Sequence, residues 1–121
     1  MEKETMDYVA ERVAILSESG ASTQVTKDAA LAWQQAVAEG GEAVADEATE
    51  QLLDVLEGRP TTIDGVIAFA EGRAKEVFGE ETAAQILAAQ RQRKEQGAKW
   101  CDCDACTAAT EVLAKFGRVE L

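Results

Sequence analysis

Glu42-Ala43-Val44-Ala45-Asp46-Glu47-Ala48-Thr49-Glu50-Gln51-Leu52-Leu53-Asp54-Val55-Leu56-Glu57 runs directly into Gly58-Arg59-Pro60. Ala45, Ala48, Leu52, Val55 and Leu56 recur at helical spacing, while acids occupy much of the opposite side. A glycine just past the last apolar residue, with proline beyond it, is a strong helix stop. This stretch predicts an amphipathic helix over about residues 42–57, and the same pattern repeats on either side of it.

Upstream, Met6, Val9, Ala10, Val13 and Leu16 form one stripe over residues 4–17. Glu18-Ser19-Gly20-Ala21-Ser22 then reads as a break. A second helix follows over about 23–39, with Ala29, Ala32, Trp33, Ala36 and Val37 inward and Gly40-Gly41 at its end. Downstream, Thr61 stands three residues before Asp64 as in a capping box. It opens a predicted helix over about 62–78 with Ile63, Val66, Ile67, Ala70, Ala74 and Val77 on one face. Gly65 and Gly72 lie inside that helix, where each costs about 1 kcal/mol against alanine; each marks either close helix contact or a weak, bent helix. After Phe78-Gly79, the pair Glu80-Glu81 suits a helix first turn. That helix carries Ala83, Ile86 and Leu87 and runs to about Gln96. Arg91, Arg93, Lys94 and Lys99 cluster at its end, where cations complement the helix dipole. A last helix over about 103–116 shows Cys106, Ala109, Val112, Leu113 and Phe116 as a stripe, closed by Gly117.

Composition agrees with an all-helical reading. Hydrophobic residues make up 46% of the 121-residue chain, enough for a packed core, but aromatics are only 5% and much of the rest is alanine. Alanine is the best helix former and buries little area, which favours closely spaced helices around a thin core. With a single proline and no linker long enough for a second domain, the expected architecture is all-α: one domain, 1–121, a compact bundle of five to six short antiparallel helices.

Charge narrows the partners. The net charge is −11, and the imbalance is concentrated in residues 1–58, with three basic against thirteen acidic residues. Such a surface repels nucleic acid and anionic lipid, so no nucleic-acid or membrane partner is expected. It keeps the protein soluble or meets a basic partner. The start, Met1-Glu2-Lys3-Glu4-Thr5-Met6-Asp7, lacks the apolar run of a signal peptide, and no stretch reaches the length of a membrane span. A cytoplasmic location is therefore expected. No histidine is present, which removes the usual general base and the commonest metal ligand and rules out a Ser-His or Cys-His nucleophile within the chain. No glycine-rich phosphate loop is visible.

The pointed feature is Trp100-Cys101-Asp102-Cys103-Asp104-Ala105-Cys106. Disulfide frameworks spread their cysteines, whereas all three here fall within six residues. Cys103 and Cys106 are three apart at a helix start, which puts their Cβ atoms roughly 5–6 Å apart on one face. Cys101, in the loop before, can fold over the same point. A helix N-terminus offers free N–H groups and positive potential that stabilise thiolates. Three readings fit. The first is a non-enzymatic site that holds zinc or an iron–sulfur cluster through Cys101, Cys103 and Cys106. Its fourth ligand would be Asp102, Asp104, a water or bound ligand, or a second chain, as in a homodimer or a complex with a protein partner. The second is thiol–disulfide redox chemistry by Cys103 and Cys106, a Cys-x-x-Cys at a helix start, although the βαβ context of a thioredoxin-like fold is missing. The third is a structural or interaction bundle with buried thiols, Cys106 continuing the apolar stripe of its helix. Asp102 and Asp104 also suit helix capping and a first turn. Trp100 reads as packing the final loop and Trp33 as core.

The segments Lys3-Glu4-Thr5-Met6-Asp7-Tyr8-Val9, Ile63-Asp64-Gly65-Val66-Ile67-Ala68-Phe69-Ala70, Val77-Phe78-Gly79 and Gly97-Ala98-Lys99-Trp100-Cys101-Asp102-Cys103 resemble a family of short bacterial proteins, mainly from anaerobes. The resemblance spans most of the chain. Some members carry a heat-shock chaperone label, but the large ATP-driven chaperone of that name needs an α/β nucleotide-binding domain that nothing here matches. The family favours proline where this chain has Asp104, and either residue suits a helix first turn. The resemblance implies that the cysteine segment is a unit, and it implies no activity or cofactor.

Overall fold

The computed structural model describes residues 1–121. The chain is all-helical: α1 Lys3–Glu18, α2 Gln24–Gly40, α3 Glu42–Leu56, α4 Ile63–Glu71, α5 Ala74–Phe78, α6 Glu80–Glu95 and α7 Asp104–Lys115. It divides into two compact units. One is Met1–Pro60 with Asp102–Glu120, and the other is Thr61–Cys101, which lies between those two segments in the sequence.

The first unit contains α1, α2, α3 and α7. Val9, Val13 and Leu16 of α1 meet Ala30 and Trp33 of α2, Ala48, Leu52, Leu53 and Leu56 of α3, and Ala105, Ala108, Ala109, Val112 and Leu113 of α7 in one buried cluster. The many alanines bring the helix backbones close, and a few large side chains fill the remaining space. Thr49 is also buried, and the Trp33 indole Nε1–H donates to its Oγ1 at 2.9 Å, so the one polar end of that tryptophan is satisfied inside the core.

Charge is concentrated at the edges of this unit. The half-buried Arg12 donates to Glu111 at 3.0 Å and lies 3.5 Å over the Tyr8 ring. Burial works against its charge, but Glu111, Tyr8 and Glu11 together outweigh this and hold the guanidinium above its ordinary pKa. Arg118, beyond α7, reaches Glu50, Asp54 and Glu57 on α3 and its C-cap, and so ties the chain's end to that helix.

Gly41 alone joins α2 to α3, at φ 62° and ψ −147°, a combination essentially restricted to glycine. A Cβ there would meet nothing within 4 Å, so a side chain is excluded by the backbone and not by space. Gly41→Ala is expected to lower the stability of the first unit by about 1–3 kcal/mol without changing its helix content at low temperature. Urea denaturation followed by circular dichroism checks this, and an unchanged midpoint would contradict it.

The second unit contains α4, α5 and α6. The helix expected over 62–78 is two helices, which raises the count to seven. The break is at Gly72, which takes φ −117° and ψ −92° while its N–H is shared between the Ala68 and Phe69 carbonyls. Glycine has no side chain to hold the helical register, and here the cost of keeping it helical is avoided by stopping. The rotation after the break leaves Ala74 buried but Val77 57% exposed. Gly65 is tight for a local reason, not from contact with another helix. A Cβ there would come within 3.0 Å of Thr61 Cγ2, just before the cap of its own helix. The cap itself is Thr62, not Thr61: its Oγ1 accepts the Gly65 N–H at 3.0 Å. No helix is long and apolar enough to cross a membrane.

Candidate metal centre

The cysteine segment is held from both ends by its own neighbours. On the upstream side, α6 ends at Glu95 and the chain turns back as an extended stretch. The Ile63 N–H donates to the Lys99 carbonyl at 2.9 Å, and the Cys101 N–H donates to the Thr61 carbonyl at 2.8 Å. These two bonds form a short antiparallel bridge centred on Thr62 and Trp100. The Arg93 guanidinium donates to the Trp100 carbonyl at 2.9 Å and to Gln90 Oε1 at 2.8 Å. Arg93 therefore does more than complement its helix dipole: it positions the residue before Cys101. The α4 cap and the approach to the first cysteine are one construction.

On the downstream side, Cys103 is the N-cap of α7, at φ −62° and ψ 157°. Its Sγ accepts the Cys106 N–H at 3.3 Å, the bond that a Ser, Thr, Asn or Asp oxygen ordinarily accepts at this position. Asp104, the first residue of α7, accepts the Ser19 hydroxyl at 2.6 Å and the Ala105 N–H at 2.8 Å through one oxygen. Ser19 is buried and also accepts the Ala21 N–H at 3.1 Å. The break after α1 thus anchors the start of α7, and Asp104 is committed to that anchor. Farther along, Thr110 bonds back to the Cys106 carbonyl at 2.8 Å.

These local constraints bring the three sulfurs of Cys101, Cys103 and Cys106 within 4.8 Å of one another. Thiolates sharing a tetrahedral ion with bonds of about 2.3 Å lie about 3.8 Å apart, so small rotamer adjustments suffice to bind one. All three residues are half-buried, and no disulfide links them. The convergent group contains the three sulfurs and neither Asp102 nor Asp104. The expectation that Cys106 packs as core is also corrected. Ala105, Ala108 and Ala109 fill the buried face of α7, and the cysteine that packs against the core is Cys103. Turning Cys106 partly away from the core leaves its sulfur beside the other two.

Three positioning residues carried no clear sequence signal. Ser19 lies in a stretch whose composition marks only a break, Arg93 in a basic run that the helix dipole already explains, and Thr61 contributes its carbonyl, which accepts the Cys101 N–H, rather than a capping hydroxyl.

Taken together, the chain is a small helical protein with a three-cysteine cluster that could hold a metal ion. No family model, curated protein or solved structure matches it. Its chemistry must be read from its own residues.

Proposed function

We propose that this chain is a non-enzymatic cytoplasmic protein that holds a thiophilic metal ion or an iron–sulfur cluster through Cys101, Cys103 and Cys106. The observation that carries this reading is the approach of the three sulfurs to within 4.8 Å at the first turn of α7. Three further features support it. The segment contains more sulfur than a helix cap requires. The N-terminus of α7 favours negative charge. The chain offers no imidazole, so thiolates are the strong ligands it has. The chain supplies three ligands, and a fourth comes from solvent, a second copy or another protein. A role in sensing, carrying or delivering the ion fits a site that is only half-buried and open to exchange.

Metal analysis of full-length protein, purified anaerobically without chelator, tests the proposal. Near-stoichiometric zinc or iron is expected in the parent and loss of it in Cys103→Ser. Under reducing conditions, Co(II) should give intense thiolate charge-transfer bands that all three cysteines are needed to produce. Metal-free protein that takes up no Co(II) or other thiophilic ion would overturn the proposal. If it also formed a reversible Cys103–Cys106 disulfide, thiol–disulfide chemistry would take its place.

A further inference from the structure

The donor set also discriminates among ions. Zinc and iron at thiolate sites take four ligands. This chain has no histidine, and all three of its cysteines are already in the cluster. The Asp104 carboxylate is bonded to the Ser19 hydroxyl and to the first turn of α7, so rotating it toward the sulfurs would leave the buried Ser19 hydroxyl without its acceptor. Charge points the same way. Three thiolates on a divalent ion leave one excess negative charge, set between the exposed Asp102 and Asp104 in a chain of net charge −11. The three sulfurs come from one short turn of chain, so they approach an ion from one side.

An ion that is complete with three sulfurs on one side and neutral once bound meets all of these constraints. Trivalent arsenic and antimony do: they form three bonds in a pyramid, and a lone pair fills the remaining direction. We propose, building on the metal-site reading above, that Cys101, Cys103 and Cys106 form a binding site for a trivalent metalloid hydroxide of the arsenite or antimonite type, preferred over zinc. In the binding step, arsenous acid, As(OH)3, exchanges its three hydroxyl groups for the three thiols. Three As–S bonds form, three As–O bonds break, and each thiol proton leaves with a hydroxyl as water. No electrons are transferred and no net charge develops.

Native mass spectrometry of the full-length reduced protein with arsenite tests this, with zinc present as competitor. The expected product is a one-to-one adduct whose mass gain is one arsenic less three protons, retained against equimolar zinc. Cys101→Ser leaves the α7 cap untouched, and its adduct should be weaker and keep one hydroxyl on arsenic. Cys103→Ser retains a capping oxygen and should show the same loss, so a folding defect is not mistaken for a missing ligand. An arsenite adduct that zinc displaces, or one that keeps a hydroxyl in the parent protein, overturns the metalloid inference and leaves the metal site standing. Failure of zinc, Co(II) and arsenite alike to bind the reduced protein overturns both.

Discussion

Trp33→Ala is expected to lower the stability of the first unit by about 3–5 kcal/mol, the usual cost of emptying a large aromatic site in a core. Trp33 is only 4% exposed and is part of the buried cluster that holds Ala30, Ala48 and Leu52. The alanines in that cluster have no rotamers with which to refill a void, so part of the cavity term is retained. A second cost comes from Thr49, which is 2% exposed and would lose the indole N–H at its hydroxyl. Trp33→Phe separates the two contributions: it keeps most of the volume, removes the donor, and should cost about 1–3 kcal/mol. Chemical denaturation of both variants, followed by far-UV circular dichroism, gives the comparison. Equal losses for phenylalanine and alanine would mean that the hydrogen bond, and not the packed volume, dominates. A loss below 1 kcal/mol for alanine would contradict the packing described here.

The second large effect is on ligand binding, and it follows from the double use of one sulfur. Cys103 caps α7 through the Cys106 N–H and is also one of the three convergent ligands. Serine is a good N-cap, so Cys103→Ser should change the stability of the ion-free protein by no more than about 0.5–1 kcal/mol, whereas Cys103→Ala loses the cap and should cost about 1 kcal/mol. An ion that binds only the folded form, present at a hundred times its dissociation constant, adds about 2.7 kcal/mol to the parent. That increment should fall sharply in both variants, because each has lost one of the three ligands. Thermal unfolding with and without zinc or arsenite measures it. Ion-dependent stabilisation that persists in Cys103→Ser would remove that sulfur from the ligand set. The linkage also means that loading the site stabilises α7, whose buried face forms part of the first unit's core.

Several elements could be read directly from the chain. The stripes of α1 and α3 predicted Met6, Val9, Ala10, Val13, Leu16, Ala45, Ala48, Leu52, Val55 and Leu56, of which Met6, Ala10 and Val55 are half-buried and the others buried. Strong amphipathic periodicity bounded by glycine or proline leaves a helix little choice of face. The helix expected over 62–78 was less well determined. Its apolar spacing continues across Gly72, and periodicity cannot say whether a glycine will be carried through or used as an exit. The capping residue shifted by one for a related reason. Thr61 and Thr62 are equally able to cap, and the choice depends on which carbonyl the returning chain takes, here that of Thr61, by the Cys101 N–H. On α7, spacing alone put Cys106 on the buried stripe. The actual rotation is set by Ala105, Ala108, Val112 and Leu113 meeting the other helices.

By itself the sequence determined the helical class, the residue types available for chemistry, and the clustering of every cysteine at one helix start. These depend on composition and local spacing, which act within a few residues along the chain. Tertiary structure decided that Asp104 serves Ser19, that Arg93 and Thr61 steady the approach to Cys101, and that Cys106 turns from the core toward its fellow sulfurs. Those outcomes depend on partners distant in sequence, Ser19 for Asp104 and Thr61 for Cys101, whose positions exist only once the helices have packed.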